Sequence, residues 1–101
     1  MTKPYSINVT HRAAAQIQRL AAWWQLNRPA ASDAVSIELE RAFALLAISP
    51  NLGTFARNAK LAGVRRIHLA KIHHHLYYRV RADAVDVLAL WHTSRGNAPP
   101  V

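Results

Sequence analysis

The residues best suited to chemistry lie in the second half of the chain, where histidine, arginine and tyrosine alternate with aliphatic residues. In Val64-Arg-Arg-Ile-His-Leu-Ala70, the two-residue period of extended backbone sends Ile67 and Leu69 to one face and Arg66 and His68 to the other. In His75-Leu-Tyr-Tyr-Arg-Val-Arg81, Leu76, Tyr78 and Val80 take one face, and Tyr77, Arg79 and Arg81 the other. A sheet made from these runs is apolar on one side and basic and aromatic on the other. That second side, with Arg66, His68, Tyr77, Arg79 and Arg81, could hold a phosphate backbone, with Tyr77 stacking on a base. It could equally receive an acidic peptide or stand as a solvated face.

Two further histidine groups invite comparison. In His73-His74-His75, residues 73 and 75 would share a face if extended, but zinc usually takes four ligands with support behind them. The run therefore reads as a polar turn, with no metal and no cofactor expected. His92 and Arg95 follow the last apolar run, where they could act as proton donor and oxyanion stabiliser in phosphodiester cleavage, or simply sit at the surface. The sequence holds no P-loop, glycine-rich fingerprint, paired carboxylates or Ser/His/Asp ordering, so nucleotide binding and hydrolytic triads have no support.

These residues need a frame, and the pattern supplies one. Tyr5-Ser-Ile-Asn-Val9 alternates as a half-buried strand does. Thr10 can cap a helix from His11 to about Asn27, with Ile17, Leu20, Ala21 and Trp24 at helical spacing and Pro29 ending it. On its opposite side Arg12, Gln16, Arg19 and Trp23 form a stripe expected to face away from the core, where Trp23 would meet a partner or pack along the helix rim beside Arg19. Ser32-Asp33 begins a second helix to about Ile48, with Val35, Leu39, Ala42 and Leu46 on one face. Asn51 to Gly63 reads as a loop, and three β-rich runs follow, the last of which, Ala84 to Trp91, is apolar at nearly every position, as in a central strand covered on both faces. The expected fold is α+β, ordered β-α-α-β-β-β, with a helical hairpin packed on one face of a small antiparallel sheet and residues 1–101 forming one domain.

Composition narrows the partners. The chain of 101 residues carries 13 Lys and Arg against 5 acids, a formal charge of +8. Eight of the basic residues and only two of the acids lie from Asn51 onward. Such a field favours nucleic acid, an acidic protein segment or an anionic membrane. With no cysteine, no apolar run long enough for a membrane helix and no signal-peptide core, a soluble cytoplasmic protein without membrane contact is expected.

In order and length, the helical hairpin followed by Gly63-Val-Arg-Arg-Ile67, Leu76-Tyr-Tyr-Arg-Val80, Val85-Asp-Val-Leu88, Trp91-His-Thr-Ser-Arg-Gly96 and Pro99-Pro100 resembles the RelE/ParE toxin superfamily, also described as plasmid-stabilisation proteins. The resemblance implies the toxin of a type II toxin–antitoxin system, growth arrest when the cognate antitoxin is lost, and a hetero-oligomer with that antitoxin. ParE-like members poison DNA gyrase; RelE-like members cut mRNA on the ribosome. Against the RelE-like pattern, Arg65, Arg66 and His68 match the basic second-strand positions, His75 stands where an arginine is usual, His92 and Arg95 fit the end of the fourth strand, and no tyrosine follows Tyr78. That incomplete set turns the reading toward the ParE-like branch, with His75, His92 and Arg95 catalytic only in the RelE-like alternative. A non-enzymatic nucleic-acid-binding module is the third reading. The antitoxin is expected to cover Trp23 and Arg19 on the first helix and apolar positions of the last strand, Leu90 and Trp91.

Overall fold

The computed structural model describes residues 3–57, 59–94 and 99–101. Strand β1 (Ser6–Val9) leads into helix α1 (His11–Asn27), and helix α2 (Ala34–Ile48) follows after a short 3-10 turn. Strands β2 (Thr54–Phe55), β3 (Val64–Leu69), β4 (His74–Arg81) and β5 (Ala84–His92) complete the sheet, whose spatial order is β1-β5-β4-β3-β2. The α+β class, the hairpin on one sheet face and the expected order are all present.

Two details extend that reading. β1 pairs in parallel with β5, Ser6 opposite Ala84 and Val9 opposite Val87, so the sheet is mixed. The stretch expected to be a loop contributes a two-residue edge strand, Thr54 and Phe55 pairing with Arg66 and Arg65. A strand this short carries no hydrophobic period to announce it; it forms because β3 already offers a template.

Local chemistry explains the helix ends. The Thr10 hydroxyl accepts the Ala13 N–H at 3.3 Å and donates to the Val87 carbonyl at 2.9 Å, tying the start of α1 to β5. At the other end the Arg28 N–H reaches Trp24 O, and Pro29 opens the next turn. The α1 stripe expected to face away from the core divides in two. Gln16 Oε1 accepts the Leu90 N–H at 2.8 Å and Arg12 Nη1 donates to Pro100 O at 2.7 Å, whereas Arg19 and Trp23 stay exposed.

The main core lies between the helices and the sheet, where Val35, Leu39, Leu46, Leu76, Tyr78, Val85 and Val87 are almost wholly buried. Each such aliphatic side chain contributes about 2 kcal/mol by leaving water. A second, smaller cluster on the far face joins Val64, Tyr77, Ala89 and Val101. This is why β5 is apolar along its length. A register shift opposite Tyr77 and Tyr78 inserts Leu88 as an extra residue, so Val85, Val87 and Leu90 face the helices while Ala89 and Trp91 join the far cluster.

The β4–β5 hairpin turns on Ala82, whose φ of +49° lies in the left-handed region. A Cβ there is unfavourable. Ala82→Gly is therefore expected to stabilise the fold by about 1 kcal/mol, seen as a higher urea midpoint; an unchanged or lower midpoint counts against strain at this turn.

Candidate functional site

Two surfaces gather polar and aromatic side chains, one on each side of the sheet. The first is a groove of about 1090 Å³ between α1 and the end of the β4–β5 pair. Arg19, Trp23, Trp24, Arg28, His74 and His92 surround it, and Leu90 and Ile72 form its floor. Trp23 is 48% exposed and meets Trp24 edge to face at a centroid distance of 6.0 Å. Across the groove His74 and His92, paired in the strand register, bring their rings to 5.0 Å. His74 Nδ1 donates to Ile72 O at 2.6 Å, and His92 Nδ1 faces the Ser94 amide and hydroxyl at 3.1 and 2.6 Å. The ring orientations are thus set from below, and the groove presents cations around an aromatic and aliphatic base.

The second surface is the sheet face turned away from the helices. Arg66, His68 and His75 share it, with Tyr77 beside them. Burial, followed by the positive charges of Arg66, His68 and His74, holds the His75 imidazole below the ordinary histidine range. Tyr77 belongs to this face as expected, yet it is only 3% exposed because Val64, Ala89 and Val101 close around it, so it is no open stacking platform.

Other basic residues expected at a target surface have local work. Arg65 points to the helix side: its Nη1 donates to Gly53 O at 2.7 Å and Asn51 O at 3.3 Å, and its guanidinium lies 3.9 Å over the Phe55 ring. It fastens the loop after α2. Arg81 pairs through Nε with the Asp86 carboxylate, which also accepts from Asn8 Nδ2 at 3.4 Å. That arginine hydrogen bond holds the Asp86 carboxyl below its usual range despite desolvation. Arg79 lies opposite Asp86, and its Nε is buried without a hydrogen-bond partner among the described residues. Arg66 and His68 of the expected basic set remain exposed beside His75.

Of the residues named for nuclease chemistry, the two described ones, His75 and His92, are not brought together. His75 pairs with Trp91 on the far face, whereas His92 lies with His74 on the groove side, so the two histidines occupy opposite faces of the sheet. Arg95 lies outside the described residues. Leu90, expected to be offered to a partner, is 4% exposed beneath α1, while Trp91 is half-buried. The sequence pattern missed Trp24, Arg28 and His74 as groove residues. Trp24 had the spacing of a core residue, and only the crossing of α1 over the sheet end brings Arg28 and His74 into one cleft. Among the described residues no group of three or more His, Cys, Asp or Glu could hold a metal ion, and no helix is long and apolar enough to cross a membrane.

Two helices on a five-stranded mixed sheet, with a cationic aromatic groove and histidines divided between the sheet faces, define a small basic α+β protein. The chain belongs to the ParE toxin family of type II toxin–antitoxin systems, parDE, whose family model matches residues 7–96. Among solved structures it is similar to one described as the chromosomal ParDE toxin–antitoxin system from P. aeruginosa, at 20% identity and a TM-score of 0.73, covering 92% of this chain and 100% of that one. No curated protein matches the chain.

Proposed function

We propose that this ParE-family toxin arrests growth by poisoning DNA gyrase and is neutralised by a cognate antitoxin seated in the α1 groove. The observation that carries the mechanism is the separation of His75 and His92 on opposite faces of the sheet, which deprives a ribosome-dependent nuclease of its two best proton-transfer candidates at one phosphodiester. Family membership supports the toxin role and the pairing with an antitoxin.

The groove suits an amphipathic acidic segment. Exposed Trp23 and half-buried Trp24 offer apolar anchorage, and Arg19, Arg28 and the His74–His92 pair surround them with donors for carboxylates. The +8 charge of the chain accelerates encounter with such a segment, and burial of the tryptophans slows its departure.

The mechanism is tested by inducing the protein alone in bacterial cells and following thymidine and methionine incorporation side by side. DNA synthesis is expected to fail first, with cleavage complexes of purified gyrase accumulating on addition of the protein. Protein synthesis failing first overturns the gyrase reading in favour of mRNA cleavage.

A further inference from the structure

On the far face of the sheet, four polar side chains stand at the corners of one square of the strand register: Arg66 opposite Tyr77, and His68 opposite His75. Arg66 Nη1 lies 3.4 Å from the Tyr77 hydroxyl, the rings of His68 and His75 are 5.3 Å apart, and those of His75 and Tyr77 are 6.3 Å apart. Arg66 and His68 are exposed, and His75 is half-buried.

Basic groups directly and diagonally opposite on neighbouring strands repel one another when charged. Among the described residues no Asp or Glu stands directly or diagonally opposite them in β3 and β4. The charges that act on His75 come from Arg66, His68 and His74 and are all positive. The five acids of the chain lie elsewhere: Asp33, Glu38 and Glu40 around α2, and Asp83 and Asp86 at the far end of the β4–β5 hairpin, where Arg81 and Asn8 already engage Asp86. Arg66 and His68 are exposed, and among the described residues the donors of the Arg66–His68–His75 cluster face no Asp or Glu side chain.

We propose that Arg66, His68 and His75 form a phosphate-binding site that takes the backbone of a nucleic acid. A guanidinium and two imidazoles within one register square can direct N–H donors at a single tetrahedral oxyanion. A nucleic acid fits this face better than an acidic peptide does. Peptides gain their affinity from apolar anchors, and the apolar residues here, Val64, Tyr77 and Ala89, are already closed over by Val101. A phosphate chain is held chiefly by charge and N–H donors, which Arg66, His68 and His75 supply.

Occupation has a proton signature. In the free protein the surrounding cations and burial favour neutral His75; a bound phosphate reverses the sign of the nearest charge and favours imidazolium. Binding near neutral pH therefore takes up a proton. In the free protein the sign is opposite. The unfolded chain protonates this histidine first as pH falls below about 6.5, so stability is lost as pH falls from there through the depressed His75 value and stays lost below it.

The inference is independent of the gyrase target and is tested on the isolated full chain. The imidazole resonances of His75 and His68 are titrated against pH with and without a single-stranded oligodeoxythymidylate, and heats of binding are compared in two buffers of different ionisation enthalpy. The His75 midpoint is expected to rise with the oligonucleotide, with proton uptake in the calorimeter. Arg66→Ala is expected to raise the His75 midpoint in the free protein, weaken binding about tenfold and reduce the salt slope by about one. His68→Gln, also at an exposed position, provides a second variant that should weaken binding. Arg41→Gln, which removes one charge from α2, should leave the His75 response intact. A His75 midpoint that the oligonucleotide leaves unmoved, or equal losses from Arg41→Gln and Arg66→Ala, overturns the site. A response to polyglutamate or inorganic phosphate but not to the oligonucleotide overturns its assignment to nucleic acid. None of these outcomes touches the antitoxin or gyrase readings, which are measured in cells and with purified gyrase.

Discussion

Replacing Gly53 by alanine is expected to destabilise the protein by about 3 kcal/mol, the sum of overpacking and a disrupted buried hydrogen bond. A Cβ at Gly53 would stand 2.7 Å from the Arg66 carbonyl oxygen, 2.7 Å from the Tyr78 hydroxyl and 2.9 Å from Tyr78 Cε1. The neighbours cannot yield cheaply. One is strand backbone, and the other is a fully buried ring whose hydroxyl accepts the Gly53 N–H and donates to Pro50 O, both at 2.8 Å. Tyr78 thereby ties the loop after α2 to the centre of the sheet. Tyr78→Phe leaves a buried amide and carbonyl without that partner and is expected to cost about 2 kcal/mol. Because both changes disturb one contact, the double variant should lose less than the two single losses combined. Urea unfolding of the three proteins checks this; strictly additive losses, or a Gly53→Ala protein as stable as wild type, would sink the argument.

The second large effect concerns the groove. Trp23→Ala is expected to weaken binding of the cognate antitoxin by about 2–4 kcal/mol, or roughly 30- to 1000-fold, mainly through faster dissociation. Trp23 is 48% exposed and rests against Trp24, so its removal uncovers little of the core and the fold should survive. Arg19→Glu, at the exposed rim, should instead slow association and make it less sensitive to salt. Surface binding kinetics with circular dichroism of each variant separates the cases. Folded variants with wild-type kinetics would move the antitoxin away from this groove while leaving family membership untouched.

The two histidine pairs show how far sequence periodicity reaches. Alternation within β3 and β4 assigns Arg66, His68, Tyr77 and Arg79 to one face correctly, because strand geometry leaves each residue only two directions. It cannot say which neighbour each residue meets. That His75 stands across from His68, and His74 across from His92, depends on pairing between strands. The fate of Tyr77 likewise depends on a distant segment, since Val101 closes over it.

By itself, the sequence determined the two helices, the three long strands, the apolar faces that join them, the basic character of the second half and the family likeness. These follow from local capping, hydrophobic period and composition, which act over a few residues at a time. Only the tertiary structure decided that β1 joins β5 in parallel, that the Leu88 irregularity sends Trp91 to the far face and His92 to the groove side, that Arg65 and Arg81 are occupied locally, and that α1 over the sheet end creates a cationic aromatic groove. Each of those outcomes depends on register and on contacts between residues far apart in the chain, where a shift of one residue reverses the face on which a side chain lies.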